Sequence, residues 1–188
     1  MIKGFFFDLD GTLVDTYRAD FLAYRDAVKD VLDKELDEAA YAALHGMEIA
    51  AKLASLFPGV DPASIDKIRS VKKQAYLQYL NLTSLNVELV SFLKQLSRHH
   101  MCVLVTTAKK DNVSAILNHH GLDKLFEFIV SGDDVTRHKP DSEAYEIALQ
   151  KSGLQPDQVL AFEDSKSGLE SAEAAGISVV HIREFSTT

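Results

Sequence analysis

The chain has 188 residues, 46% hydrophobic and 26% charged, with 9 glycines, 4 prolines and a single cysteine. That length suits one domain, or one domain carrying an insertion, and the composition excludes a disordered or fibrous chain and a disulfide or cysteine-metal scaffold. Twenty basic against 28 acidic side chains give a formal charge of −8, which disfavours nucleic acid and anionic lipid as partners.

The opening run Gly4-Phe5-Phe6-Phe7 is apolar too briefly for a signal peptide or a membrane span, so a cytoplasmic protein is expected, with a β-rich run over residues 3–10. From residue 16 to about 86 no β-like run occurs and apolar residues recur at helical spacing. Tyr17, Phe21, Tyr24, Val28 and Val31 form one stripe; Ile65, Ile68, Val71, Ala75 and Tyr79 form another. Asp61-Pro62 is an N-cap and first-turn pair, and Gly46 and Pro58-Gly59 break the shorter helices between the stripes. Asp15 and Thr16 are expected to cap the first of these helices and to act as a hinge.

After that stretch, β-rich runs at 101–107, 126–131, 158–162 and 177–182 alternate with single helical patterns, the sign of βαβ units and a parallel sheet. Gly121, Gly153 and Gly176 stop three helices, and Pro140-Asp141-Ser142 opens one. The expected fold is α/β, a Rossmann-like three-layer parallel-sheet core (1–15 and 87–188) with an all-helical cap (16–86) inserted after the first strand.

Ligands of open parallel sheets bind beyond the carboxyl ends of the strands. There the sequence places Asp8 and Asp10, then Thr106-Thr107, then Lys139-Pro140, then Glu163-Asp164. While the chain stays extended, a spacing of two puts Asp8 and Asp10 on one face. Four clustered carboxylates raise each other's pKa values unless a cation joins them. Mg²⁺, a hard ion that takes carboxylates, water and phosphate oxygens, fits that need. A carboxylate beside such an ion, with a lysine opposite, suits attack on phosphorus. Each residue alone has a plain alternative: a turn aspartate, a solvated lysine, a strand-end threonine, acids favoured at a helix N-terminus. None of these explains their arrival on one rim.

Asp8-Leu9-Asp10-Gly11-Thr12-Leu13-Val14-Asp15-Thr16, followed in order by Thr106, Lys139-Pro140 and Glu163-Asp164-Ser165, resembles the haloacid dehalogenase superfamily over the whole chain. With Glu163-Asp164-Ser165-Lys166-Ser167-Gly168 and a helical insert, it looks like the branch of phosphoglycolate phosphatase and β-phosphoglucomutase. The resemblance implies that Asp8 is the nucleophile and Asp10 the general acid and base. It implies that Thr106 binds the transferring phosphoryl group, with Thr107 the rival for that role, and that Lys139 bridges this group and Asp8. It implies Mg²⁺ held by Asp8, the Asp10 carbonyl, Glu163 and Asp164, with Gly11 and Thr12 near the substrate.

In relatives of this kind the cap supplies a substrate loop, expected here at His45-Gly46-Met47-Glu48, with Gly46, Met47 and Glu48 as candidate contacts. The mutase pattern has an arginine three residues after the loop glycine; Ile49 stands there, with Lys52 one turn on. The expected substrate is a small phosphorylated metabolite, handled by a monomer or small homo-oligomer. A sugar-phosphate mutase and a catalytically idle scaffold are the alternatives. His99-His100 and His119-His120 lie near helix ends without a third ligand, Lys109-Lys110 is too short for a nucleic-acid patch, and Cys102 reads as a small core residue.

Overall fold

The computed structural model describes residues 1–44, 47, 49–183 and 185. In chain order the elements are β1 (Gly4–Phe7), β2 (Val14–Asp15), α1 (Tyr17–Leu32), α2 (Glu38–Ala43), α3 (Ile49–Leu56), α4 (Pro62–Tyr76) and a 3₁₀ segment (Leu77–Leu82). They continue as β3 (Ser84–Leu85), α5 (Val87–Leu96), β4 (Met101–Val105), α6 (Lys110–His120), β5 (Phe128–Val130), α7 (Glu143–Ser152), β6 (Val159–Glu163), α8 (Lys166–Ala174) and β7 (Ser178–His181).

Five strands form one sheet in the order β5-β4-β1-β6-β7, every neighbouring pair parallel. The first strand in the chain thus lies at the centre and the order reverses beside it, the topological switch point where ligand crevices of such sheets open. β1 is buried on both faces because helices cover both. Phe6 packs on one side with Val103, Val105, Ala144, Tyr145 and Ala161. On the other side the Phe7 and Phe162 rings stack with centroids 4.7 Å apart, and Phe5 and Phe92 meet edge to face. Gly121 and Gly153 end α6 and α7 with left-handed φ values of 65° and 67°. A Cβ is costly at such angles, so glycine suits the helix stop.

The chain forms two compact units, one from Met1–Asp15 together with the residues from Ser84 on, the other Thr16–Thr83. The second unit is helical. Its core gathers Phe21, Leu22, Tyr24, Val28, Tyr41, Leu53, Phe57, Ile65 and Ile68 from α1 to α4. Asp61 caps α4, its carboxylate accepting from the Ser64 amide at 3.0 Å. Within this unit two lysines are buried among tyrosines: Lys72 pairs with Asp20, and the Lys52 ammonium lies 4.1 Å from the Tyr41 ring centre.

Three local readings differ from the structure. β1 stops at Phe7, so Asp8 and Asp10 belong to the turn that follows and not to a continued strand. The Asp8 amide still reaches the Phe162 carbonyl, but beyond it the amides of Leu13 and Val14 fold back onto the Leu9 carbonyl. Ser84–Leu85, in a stretch expected to be wholly helical, pairs antiparallel with Val14–Asp15. Two-residue strands are too short to show an alternating pattern. Thr16 occupies the N-cap of α1, but its hydroxyl makes no cap hydrogen bond; its backbone is helical (φ −110°, ψ −2°), not extended as a capping hydroxyl requires.

Candidate active site

β1 ends by handing the chain directly to Asp8, whose amide donates to the Phe162 carbonyl of β6 at 3.0 Å. Asp8 is thereby fixed between the two central strands, and it is buried. Lys139 reaches it from the loop that precedes α7. Its ammonium donates to Asp8 Oδ1 at 2.8 Å, to the Val105 carbonyl at 2.8 Å and to Glu163 Oε1 at 2.5 Å. Three N–H bonds thus have three acceptors, so the side chain, only 3% exposed, has one orientation.

Glu163 and Asp164 leave the end of β6 in opposite ways. Glu163 is 1% exposed, and its Oε1 also accepts from the Tyr145 hydroxyl at 2.5 Å. Its carboxylate lies against Gly168 in the first turn of α8, where a Cβ would overlap it. Asp164 is half-buried; its Oδ1 accepts from Thr12 Oγ1 at 3.0 Å, and Gly11, at φ 84°, passes so close that a Cβ there would strike it. A cavity of about 330 Å³ opens beside Asp164, with Arg183 and His181 in its wall.

Electrostatics follow from burial. Burial pushes the Asp8 carboxyl well above the usual carboxylate range; Lys139 pulls it down and Glu163 pushes it up again. Burial also raises Glu163, against the pull of Lys139. Burial alone would lower Lys139, but Asp8 and Glu163 outweigh it and hold the ammonium at about 12. At Asp8 a buried ammonium therefore faces several acids. Carboxylate oxygens of Asp8, Glu163 and Asp164 lie within 4.8 Å of one another, an all-oxygen donor set that fits a hard divalent cation.

The expected residues fall as follows. Asp10 is half-buried in the turn after Asp8, where it bridges to Val14. Thr106 is 2% exposed just past β4, its amide on the Val130 carbonyl and its hydroxyl accepting from the Ala108 amide at 3.0 Å. Thr107 is exposed. Thr12 is fully buried and its hydroxyl donates to Asp164, so its side chain braces that acid. Met47 is exposed, while His45, Gly46 and Glu48 lie outside the described residues. Lys109 and Lys110 form ion pairs with Asp133 and Asp134, each at 2.9 Å. Cys102 is buried in β4 and its thiol is pushed up to about 11 by that burial. Tyr145 was not anticipated: in the sequence it is one more aromatic on the buried side of a helix, and nothing local tells a hydroxyl on a carboxylate from plain packing.

A family model for haloacid dehalogenase-like hydrolases matches residues 5–182. The phosphorylated carbohydrates phosphatase of Thermotoga maritima is 31% identical over 93% of this chain and 82% of that protein. The fructose-1-phosphate phosphatase YqaB of Escherichia coli is 29% identical over 96% of each. Among solved structures, CbbY from Rhodobacter sphaeroides in complex with phosphate superposes with a TM-score of 0.83 at 24% identity, over 95% of this chain and 85% of that one, which supports the fold. The match spans nearly the entire chain, and the sheet order and the rim of acids agree with it: this protein is an enzyme belonging to the haloacid dehalogenase-like hydrolases.

Proposed function

We propose that the protein is a Mg²⁺-dependent phosphatase that hydrolyses a small phosphorylated metabolite, a sugar phosphate foremost, through a phosphorylated Asp8. The observation that carries this reading is the contact of Lys139 with Asp8 at 2.8 Å beside the acidic trio of Asp8, Glu163 and Asp164. The curated names of the two relatives support a phosphorylated carbohydrate as the substrate class.

In this mechanism an Asp8 oxygen attacks phosphorus while the bond to the leaving oxygen breaks, and Asp10 gives that oxygen a proton. Asp10 then takes a proton from water as the water attacks the phosphorylated Asp8, releasing phosphate and restoring the carboxylate. Lys139 and Thr106 hold the phosphoryl oxygens where charge gathers. A magnesium ion held by Asp8, Asp164 and the Asp10 carbonyl, with Glu163 beside it, would supply positive charge for those oxygens. The presence of Asp10 beside Asp8 argues against a dehalogenase, which has no phosphate leaving group to protonate.

The test is phosphate release from a panel of sugar phosphates, phosphoglycolate and p-nitrophenyl phosphate, with Mg²⁺ and with chelator. Release that needs Mg²⁺ supports the reading, and the ranking of the panel names the substrate. A sugar phosphate isomerised without net phosphate release, in a reaction requiring a bisphosphate primer, would replace the phosphatase with a mutase. Absence of both reactions would leave the idle scaffold.

A further inference from the structure

Tyr145 stands in a cluster otherwise made of Phe6, Val103, Val105, Val130, Ala144, Ala148, Val159 and Ala161. It is fully buried. A phenylalanine ring would fill that volume equally well, and a hydroxyl taken from water into such a cluster costs free energy unless it is hydrogen-bonded. Its partner is Glu163 Oε1, the oxygen that also receives Lys139. The Lys139 ammonium in addition lies 5.3 Å from the Tyr145 ring centre.

These contacts form a relay of position. Glu163 is 1% exposed; its Oε1 receives Lys139, and a carboxylate oxygen of it lies within 4.8 Å of oxygens of Asp8 and Asp164. Gly168 leaves space for the carboxylate but supplies no side chain to hold it. Among the described residues, the side-chain donors on Glu163 Oε1 are Lys139 and the Tyr145 hydroxyl. We propose that Tyr145 is a positioning residue: by holding Glu163 Oε1 on Lys139 it keeps the ammonium aimed at Asp8 Oδ1. The inference rests on the assignment of Asp8 and Lys139 to phosphoryl transfer.

The experiment compares the parent, Tyr145→Phe, Glu163→Gln and the double variant, with p-nitrophenyl phosphate and saturating Mg²⁺. Tyr145→Phe keeps the ring and removes one hydrogen bond. Its kcat is expected to fall about tenfold, equivalent to about 1.4 kcal/mol, with KM within about twofold of the parent. In the Glu163→Gln background the same change should cost less than about twofold, because the hydroxyl acts through that carboxylate. A 4-aminophenylalanine at 145, which restores a donor, should recover most of the lost kcat. If Tyr145→Phe does not fold, 4-fluorophenylalanine at 145 puts an atom of similar size there without a donor, and the same fall is expected.

A kcat within about twofold of the parent, a loss carried wholly by KM, or a loss that simply adds to that of Glu163→Gln would each overturn the proposal. If the parent itself releases no phosphate with Mg²⁺, the phosphatase reading fails and the positioning role fails with it. If the parent is active and Tyr145→Phe matches it, only the positioning role fails.

Discussion

Three features meet on Asp8, the proposed nucleophile: burial, an ammonium and a second acid. Burial raises its carboxyl in the folded protein, so in the metal-free protein the stability it contributes is present below the unfolded carboxylate range, about 3.9, and is lost as pH rises through the folded value. A divalent cation favours the carboxylate and reverses that loss. The rise in thermal midpoint on adding Mg²⁺ is therefore expected to be larger near about pH 7.5 than near about pH 5, as read by differential scanning fluorimetry. Equal rises at both would separate the metal from Asp8. At the same scale, a Cβ at position 168 would displace the Glu163 carboxylate, so Gly168→Ala should cut kcat by about tenfold or more in the same phosphatase assay. Cys102, buried with its thiol raised to about 11, should resist a thiol reagent in the native protein and react once the chain is unfolded in guanidinium.

β1 is the element on which the site hangs. It pairs with β4 and β6 and presents aromatic rings to both faces, which holds its end from both sides. Phe6→Ala should cost about 3–5 kcal/mol of stability in urea unfolding, since the cavity would lie beneath Ala144 and Tyr145. In the helical unit, Asp61→Ala removes the acceptor for the Ser64 amide and should cost about 1 kcal/mol, read in the same way. The helices were legible in the sequence because a period of 3.6 runs for several turns, and the sheet strands because they are short apolar runs between helical patterns. The pair Val14–Asp15 with Ser84–Leu85 was not, since two residues carry no period and the partner lies far along the chain. Thr16 shows a different failure: residue type named the cap position, while a helical backbone angle withheld the cap hydrogen bond.

Across the molecule, the candidate site was legible where its chemistry is carried by charge at strand ends. Asp8, Lys139, Glu163 and Asp164 announce themselves as acids and a lysine in an α/β pattern, and the structure brings them together. Illegible were the braces: Tyr145 on Glu163, Thr12 on Asp164 and the Val105 carbonyl on Lys139, because each is a long-range contact made by a residue of ordinary type. No helix among the described residues is long and apolar enough to cross a membrane. Phosphorylation of Asp8 in turnover, as proposed, is checked by acid quenching during steady-state hydrolysis with Mg²⁺, followed by peptide mass mapping. One acid-stable, hydroxylamine-labile phosphoryl group is expected on the peptide containing Asp8, absent from Asp8→Asn, which is expected to fold but not to turn over. Full turnover by Asp8→Asn, or a phosphoryl group on another residue, would contradict it.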